Sequence, residues 1–242
     1  MARNWKLLQV VLPKIPLAAR VAIMHVLGLT APSKYMDLRS ELVVSIIRSF
    51  ASPSSPKPLD VEKLQRQTLG NPTPKGRIWI STYITAPPPE TSARDVIMQA
   101  IDDLMPESQK GIVTAVPEFI NVEAEWTGYR RDATPDSTAP KLSEREKYDE
   151  MMKECSAKPT VLYLHGGGYY LMDPVTHRPT TKKLAKITGG RCFSVRYRLA
   201  PGHAFPSALL DAFVSYLTLL YPPPDAYHDA VPPEHIVISG DR

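Results

Sequence analysis

Cysteine is scarce in this chain: Cys155 and Cys192 are the only two in 242 residues. Two thiols make no disulfide framework, and Cys192 lies in an apolar, strand-like run where a buried free thiol is expected. A reducing, intracellular and cytoplasmic setting is the corresponding expectation. Long apolar runs are also missing. Leu17 to Leu29 is apolar apart from Arg20, His25 and Gly28, but these 13 residues fall short of the roughly 20 that cross a bilayer. Pro13, Lys14 and Pro16 break the run upstream, and no small-residue cleavage site is evident. A buried or interfacial helix is therefore expected rather than a leader peptide. The basic start, Met1 to Lys6 with Trp5, leaves loose peripheral membrane contact open. The net charge of +4 is spread out, with no Lys/Arg run interleaved with aromatics, which argues against nucleic-acid binding. His and Cys show no metal-ligand spacing, no long internal repeat is visible, and neither dinucleotide nor P-loop glycine pattern occurs. No metal and no cofactor are expected.

Proline, in contrast, is abundant. Its 25 copies are about twice the usual share of roughly 5%. They cluster at Ser52–Pro58, Pro72–Pro74, Pro87–Pro89, Pro222–Pro224 and Pro232–Pro233, which reads as loops and linkers. Between them the apolar periodicity predicts a helix from Asp37 to Phe50, a strand from Arg77 to Ile84 and a helix face on Val96, Ala100 and Leu104. Residues 1–110 are thus expected to form a mostly helical N-terminal cap or accessory region, and residues 111–242 an α/β domain. Ile120, Val122, Ala124 and Trp126 alternate with polar residues, predicting a half-buried strand near a sheet edge. Ser143 and Glu146 are spaced as a capping box. A strand is predicted over Thr160–Leu164, a helix over Thr180–Thr188 stopped by Gly189 and Gly190, and a strand over Arg191–Tyr197. An amphipathic helix through Leu210, Val214 and Leu217 follows, with Pro206 near its first turn, then a strand over His235–Ser239. This alternation predicts a mainly parallel sheet with right-handed crossovers.

Leu164 to Tyr170 reads LHGGGYY, at the C-terminal end of a predicted strand. Three consecutive glycines cost chain entropy, so something must require them. Without Cβ atoms the backbone turns sharply and its N–H groups approach a ligand. Such donors hold the oxyanion that develops when an ester carbonyl is attacked. Further on stand HGGGYYLMDPVTHR (His165 to Arg178), YRLAP (Tyr197 to Pro201), AFPSALLDAF (Ala204 to Phe213) and ISGD (Ile238 to Asp241). In order and spacing, residues 120–242 resemble the hormone-sensitive-lipase-like family of α/β-hydrolases.

The resemblance implies an α/β-hydrolase fold, here incomplete, behind an N-terminal helical cap. It implies a serine carboxylic-ester hydrolase working through an acyl-enzyme on small hydrophobic esters. Gly166 and Gly167 would be oxyanion donors, Gly168 would allow the turn, and His165 and Asp241 would support the loop. His177 would order that loop, while Arg198 and Asp211 would anchor a loop to a helix. The family's nucleophilic serine falls on position 242, which holds Arg242, and a guanidinium offers no lone pair for attack. No G-x-S-x-G occurs elsewhere, and His203 and His228 precede the slot where the family's triad histidine follows it. Both are read as loop or surface imidazoles. Gly202 stands where the family usually has Glu. The resemblance thus implies an inactive fragment ending at the nucleophile elbow. The alternative is a non-catalytic, ligand-binding member of the same fold.

Overall fold

A computed structural model describes residues 12–51, 60–88, 92–111 and 116–241. Two compact units divide at Asp60. The first, among its described residues, is a helical hairpin of α1 (Ile15–Val26) and α2 (Leu38–Ala51). Pro16 sits in the first turn of α1, where a missing N–H costs nothing. Glu41 on α2 is buried and accepts from His25 Nδ1 at 2.5 Å and from Thr30 Oγ1 at 3.0 Å. That carboxylate ties the two helices through polar groups, since no residue of α1 is buried in this structure. Ile23, Val26, Leu27 and Leu29 are exposed. No helix of the described residues is long and apolar enough to cross a membrane.

The second unit is built on a five-stranded sheet: β1 (Ile78–Thr85), β2 (Val122–Tyr129), β3 (Thr160–Leu164), β4 (Arg191–Val195) and β5 (Ile236–Gly240), in the order β1-β2-β4-β3-β5. β3 pairs in parallel with both β4 and β5, and β2 runs antiparallel to both neighbours, so four strands of the five share one direction. Around it lie α3 (Val61–Thr68), α4 (Ser92–Leu104), α5 (Glu144–Glu154), α6 (Pro174–Thr188) and α7 (Ser207–Leu220). The period of two along each strand sorts the core. Trp126, Leu162 and Phe193 join Tyr148 and Met151 of α5 and Val214 and Leu219 of α7. On the other face Val161 and Cys192 meet Ala185 of α6. Cys192 is fully buried, and that burial pushes its thiol pKa up to about 12.

Three expectations from the sequence need correction. The accessory region does not extend to residue 110, because β1 belongs to the sheet and the compact units part at Asp60. β2 lies next to the edge strand, as expected, but is buried rather than half-buried. It lies between β1 and β4, and its carboxylates face cations: Glu125 takes a bidentate pair from Arg178, and Glu123 pairs with Arg196. The alternation reads as solvent-facing only when those partners are invisible. Third, α6 starts at Pro174 rather than Thr180. Asp173 caps it with a capping box, Pro174 fills its first turn, and Pro179 forfeits a single intrahelical bond inside it. Its end, Gly189 at φ +68°, is as expected, as is the Ser143–Glu146 capping box of α5. The proline-rich segment 52–59 lies outside the described residues.

Candidate active site

The parallel register of β3 and β5 places Leu164 opposite Gly240. The next residues, His165 and Gly166 on one strand and Asp241 on the other, therefore leave the sheet side by side at the carboxyl ends. In open α/β sheets this is the rim where ligands bind. Asp241 organises the junction. It accepts from the Gly166 amide and the Tyr163 hydroxyl, both at 2.8 Å, and pairs with His177 Nε2 at 3.1 Å. Burial pushes its carboxyl pKa up, but the Tyr163 hydroxyl, the Gly166 amide and His177 outweigh it and hold the pKa below the usual range. Burial, and then the same hydrogen bond, raises the Tyr163 pKa.

Each glycine of the triplet has its own reason. A Cβ on Gly166 would stand 2.5 Å from Asp241 Oδ2. Gly167 has φ +119°, and a Cβ there would fall on the Leu171 carbonyl oxygen. Gly168 has φ +63°, with the Tyr170 ring 3.0 Å from a would-be Cβ. Tyr169 and Met172 also take left-handed φ, 64° and 76°, so the whole loop is held in a sparsely populated conformation. Its supports are identifiable. His165 is buried, its Nδ1 faces the Gly166 carbonyl oxygen at 2.8 Å, and its ring stacks on Tyr197 at 4.2 Å. Burial lowers the His165 pKa. The Tyr197 hydroxyl donates to the His165 carbonyl. Gln65 Nε2, from α3, donates to the Tyr170 and Ala200 carbonyls at 2.8 and 2.6 Å.

The structure thus brings His165, Gly166, Gly167, Gly168, His177 and Asp241 together. It commits the Gly166 amide to Asp241, whereas the amides of Gly167 and Gly168 meet no acceptor among the described residues. Arg242 lies outside the described residues. Arg198 binds Asp211 through Nε, Nη2 and its own backbone amide, joining the YRLAP loop to α7. His228 is a loop imidazole as expected, but a buried one, packed against Trp126. Sequence reasoning missed Gln65, Tyr163 and Tyr197 as supports. The alternating placement of Tyr163 toward α6, on the His177 side, is the one signal that could have found any of them. Among the described residues no group of His, Cys, Asp or Glu could hold a metal.

The site is a strained glycine loop at the carboxyl end of a parallel strand, clamped by Asp241 from the neighbouring strand. Residues 161–242 match a family model described as alpha/beta hydrolase fold. An acetyl-hydrolase of Streptomyces hygroscopicus is 35% identical over 82 residues, covering 34% of this chain and 25% of that protein. Hormone-sensitive lipase of Mus musculus is 32% identical over 80 residues, covering 33% of this chain and 10% of the lipase. A crystal structure of a hormone-sensitive-lipase homologue from a metagenome library aligns at TM-score 0.34 and 28% identity, over 49% of this chain and 30% of that one. The chain spans about a quarter or less of the length of these two curated relatives. Over residues 161–242 the chain carries the α/β-hydrolase fold and is similar to hormone-sensitive-lipase-like hydrolases.

Proposed function

We propose that this chain carries the oxyanion-binding half of a serine carboxylic-ester hydrolase acting on small hydrophobic esters through an acyl-enzyme. The observation that carries the reading is the pair of unclaimed amides on Gly167 and Gly168, fixed at the carboxyl end of β3 beside Asp241. Attack on an ester carbonyl moves negative charge onto its oxygen. Donors already aimed there stabilise that charge without reorganising, and losing one such donor costs on the order of 10²–10³ in rate. The role falls on Gly167 and Gly168, with Gly166 serving to anchor the loop to Asp241. His165, Tyr197 and Gln65 then hold the backbone that presents the amides.

The 242 residues contain no G-x-S-x-G, and Arg242 cannot act as a nucleophile. The reading therefore assigns no nucleophile to this chain. The test is hydrolysis of p-nitrophenyl butyrate by this chain beside a version extended through a serine elbow, acid and histidine taken from a related esterase. The extended chain should turn over the ester and this chain should stay at the buffer rate. An extended, folded chain with no activity would refute the assignment of the loop. Arg242, at the position the resemblance gives to the nucleophilic serine, favours a second reading, a ligand-binding member of the fold. In that case this chain itself binds a small apolar ester without consuming it, which tryptophan fluorescence would register. The exposed apolar residues of α1 support peripheral membrane contact as a further part of the proposal, and flotation with liposomes would test it.

A further inference from the structure

At the far end of the strands from the glycine loop, where β4 begins at Arg191, the surface opens into a hollow of about 670 Å³. Two polar side chains face it with unmet hydrogen-bonding capacity. The first is Arg191. Its guanidinium lies 5.2 Å from the Trp126 ring and 5.9 Å from the Tyr148 ring. Nη1 reaches only the Met152 thioether, at 2.9 Å, and Nε is buried without a partner. No carboxylate pairs with it among the described residues, unlike Arg178, Arg196 and Arg198. A guanidinium carries five N–H donors, and one thioether is a poor match for them.

The second is His228, only 6% exposed. Its Nε2 lies 3.1 Å from the Thr218 carbonyl oxygen, which can only accept, so Nε2 carries the proton and Nδ1 presents a lone pair. Nδ1 has no partner. Burial, and after the opposing Thr218 bond the charge of Arg191, pull its pKa down to about 4, so the ring is neutral at pH 7. The two groups share the hollow and the Trp126 ring: His228 packs 4.9 Å from the ring that Arg191 covers, and the Arg191 charge acts on His228. Lys158 and His235 add cationic or donor capacity at the rim, and Asp229 is the one carboxylate lining the hollow.

An unpaired cation and an unpaired acceptor in one hollow ask for one ligand with complementary parts. We propose that this hollow binds a small oxyanion that carries its own O–H, with charged oxygens on Arg191 and the hydroxyl donating to His228 Nδ1. Hydrogen phosphate or a phosphate monoester has this chemistry, and so does a 2-hydroxy carboxylate. The site is independent of the hydrolase reading, since it shares no residue with the glycine loop.

The test is titration of the full chain, labelled at arginine Nε, with inorganic phosphate, lactate or acetate at constant ionic strength. The Arg191 Nε–H resonance should shift saturably with phosphate or lactate, about tenfold more tightly than with acetate, which lacks the O–H. Phosphate ahead of lactate assigns the phosphate class, and the reverse order assigns the hydroxy acids. His228→Phe, which keeps a ring but removes the acceptor, should erase the preference over acetate. If that variant fails to fold, the wild-type resonance alone decides. Equal responses to the three anions, a response that does not saturate, or a preference that survives His228→Phe in folded protein would overturn the proposal.

Discussion

Replacing Arg178 by methionine removes four hydrogen bonds at once: two to Glu125, one to the Pro72 carbonyl and one to Asn71 Oδ1. It also leaves the Glu125 carboxylate, 2% exposed, between β2 and α6 without its bidentate partner. Removing one member of a buried pair costs about 3–5 kcal/mol, because the survivor keeps its desolvation penalty. Arg196 Nη2, 4.0 Å from Glu125 Oε1, softens this toward the lower figure. For a unit of this size each kcal/mol moves the melting temperature by roughly 2–4 °C. A fall of about 6–12 °C is expected for R178M by thermal unfolding followed with circular dichroism. Glu125→Leu in the same chain should restore most of the loss, since an apolar pair of similar volume is often as stable as the ions it replaces. A single-variant loss under about 1 kcal/mol, the value of an exposed ion pair, would refute the buried-pair account. So would a double variant no better than R178M.

Gly167→Ala should cost at least about 1–3 kcal/mol, because φ +119° and the Leu171 carbonyl leave no room for a methyl group. In the elbow-extended chain it should lower ester turnover by about 10²–10³, and unchanged turnover would sink the oxyanion assignment. His228 has a folded pKa of about 4 against about 6.5 unfolded, so the unfolded chain takes up the proton first as pH falls. Its contribution is complete above about pH 6.5 and fades down to pH 4, by an amount of order 3 kcal/mol, and urea unfolding across that window should lose this slope in His228→Phe. Ile238→Lys places a charge on edge strand β5, where Val237 and Ile238 are exposed, and should reduce self-association in sedimentation without a large change in stability. Equal association of both chains would count against edge pairing.

Much of the fold was legible because local rules and global packing agree. The triple glycine, the Ser143 capping box and the Gly189 stop are each forced by backbone geometry, so residue type alone announces them. Where side chains answer to distant partners, the sequence misleads. Glu123 and Glu125 mimic a solvent face because Arg178 and Arg196, which neutralise them, arrive from after β3. Pro174 and Pro179 mimic breaks: the first sits in the capped first turn, where proline costs nothing, and the second gives up only one bond of a 15-residue helix. The division of labour among Gly166, Gly167 and Gly168 was equally hidden, since only the β3–β5 register shows that Asp241 claims the first amide.

One amide group reaches across the lip of the loop. Gln65 clasps two carbonyls, one just past the glycines and one in the segment after β4. The shape of the mouth is thereby adjustable from a side chain remote in sequence. A shorter residue at position 65 would let the tyrosine shelf drift while the glycine turn stays clamped by Asp241, which separates how a guest is admitted from how its charge is met.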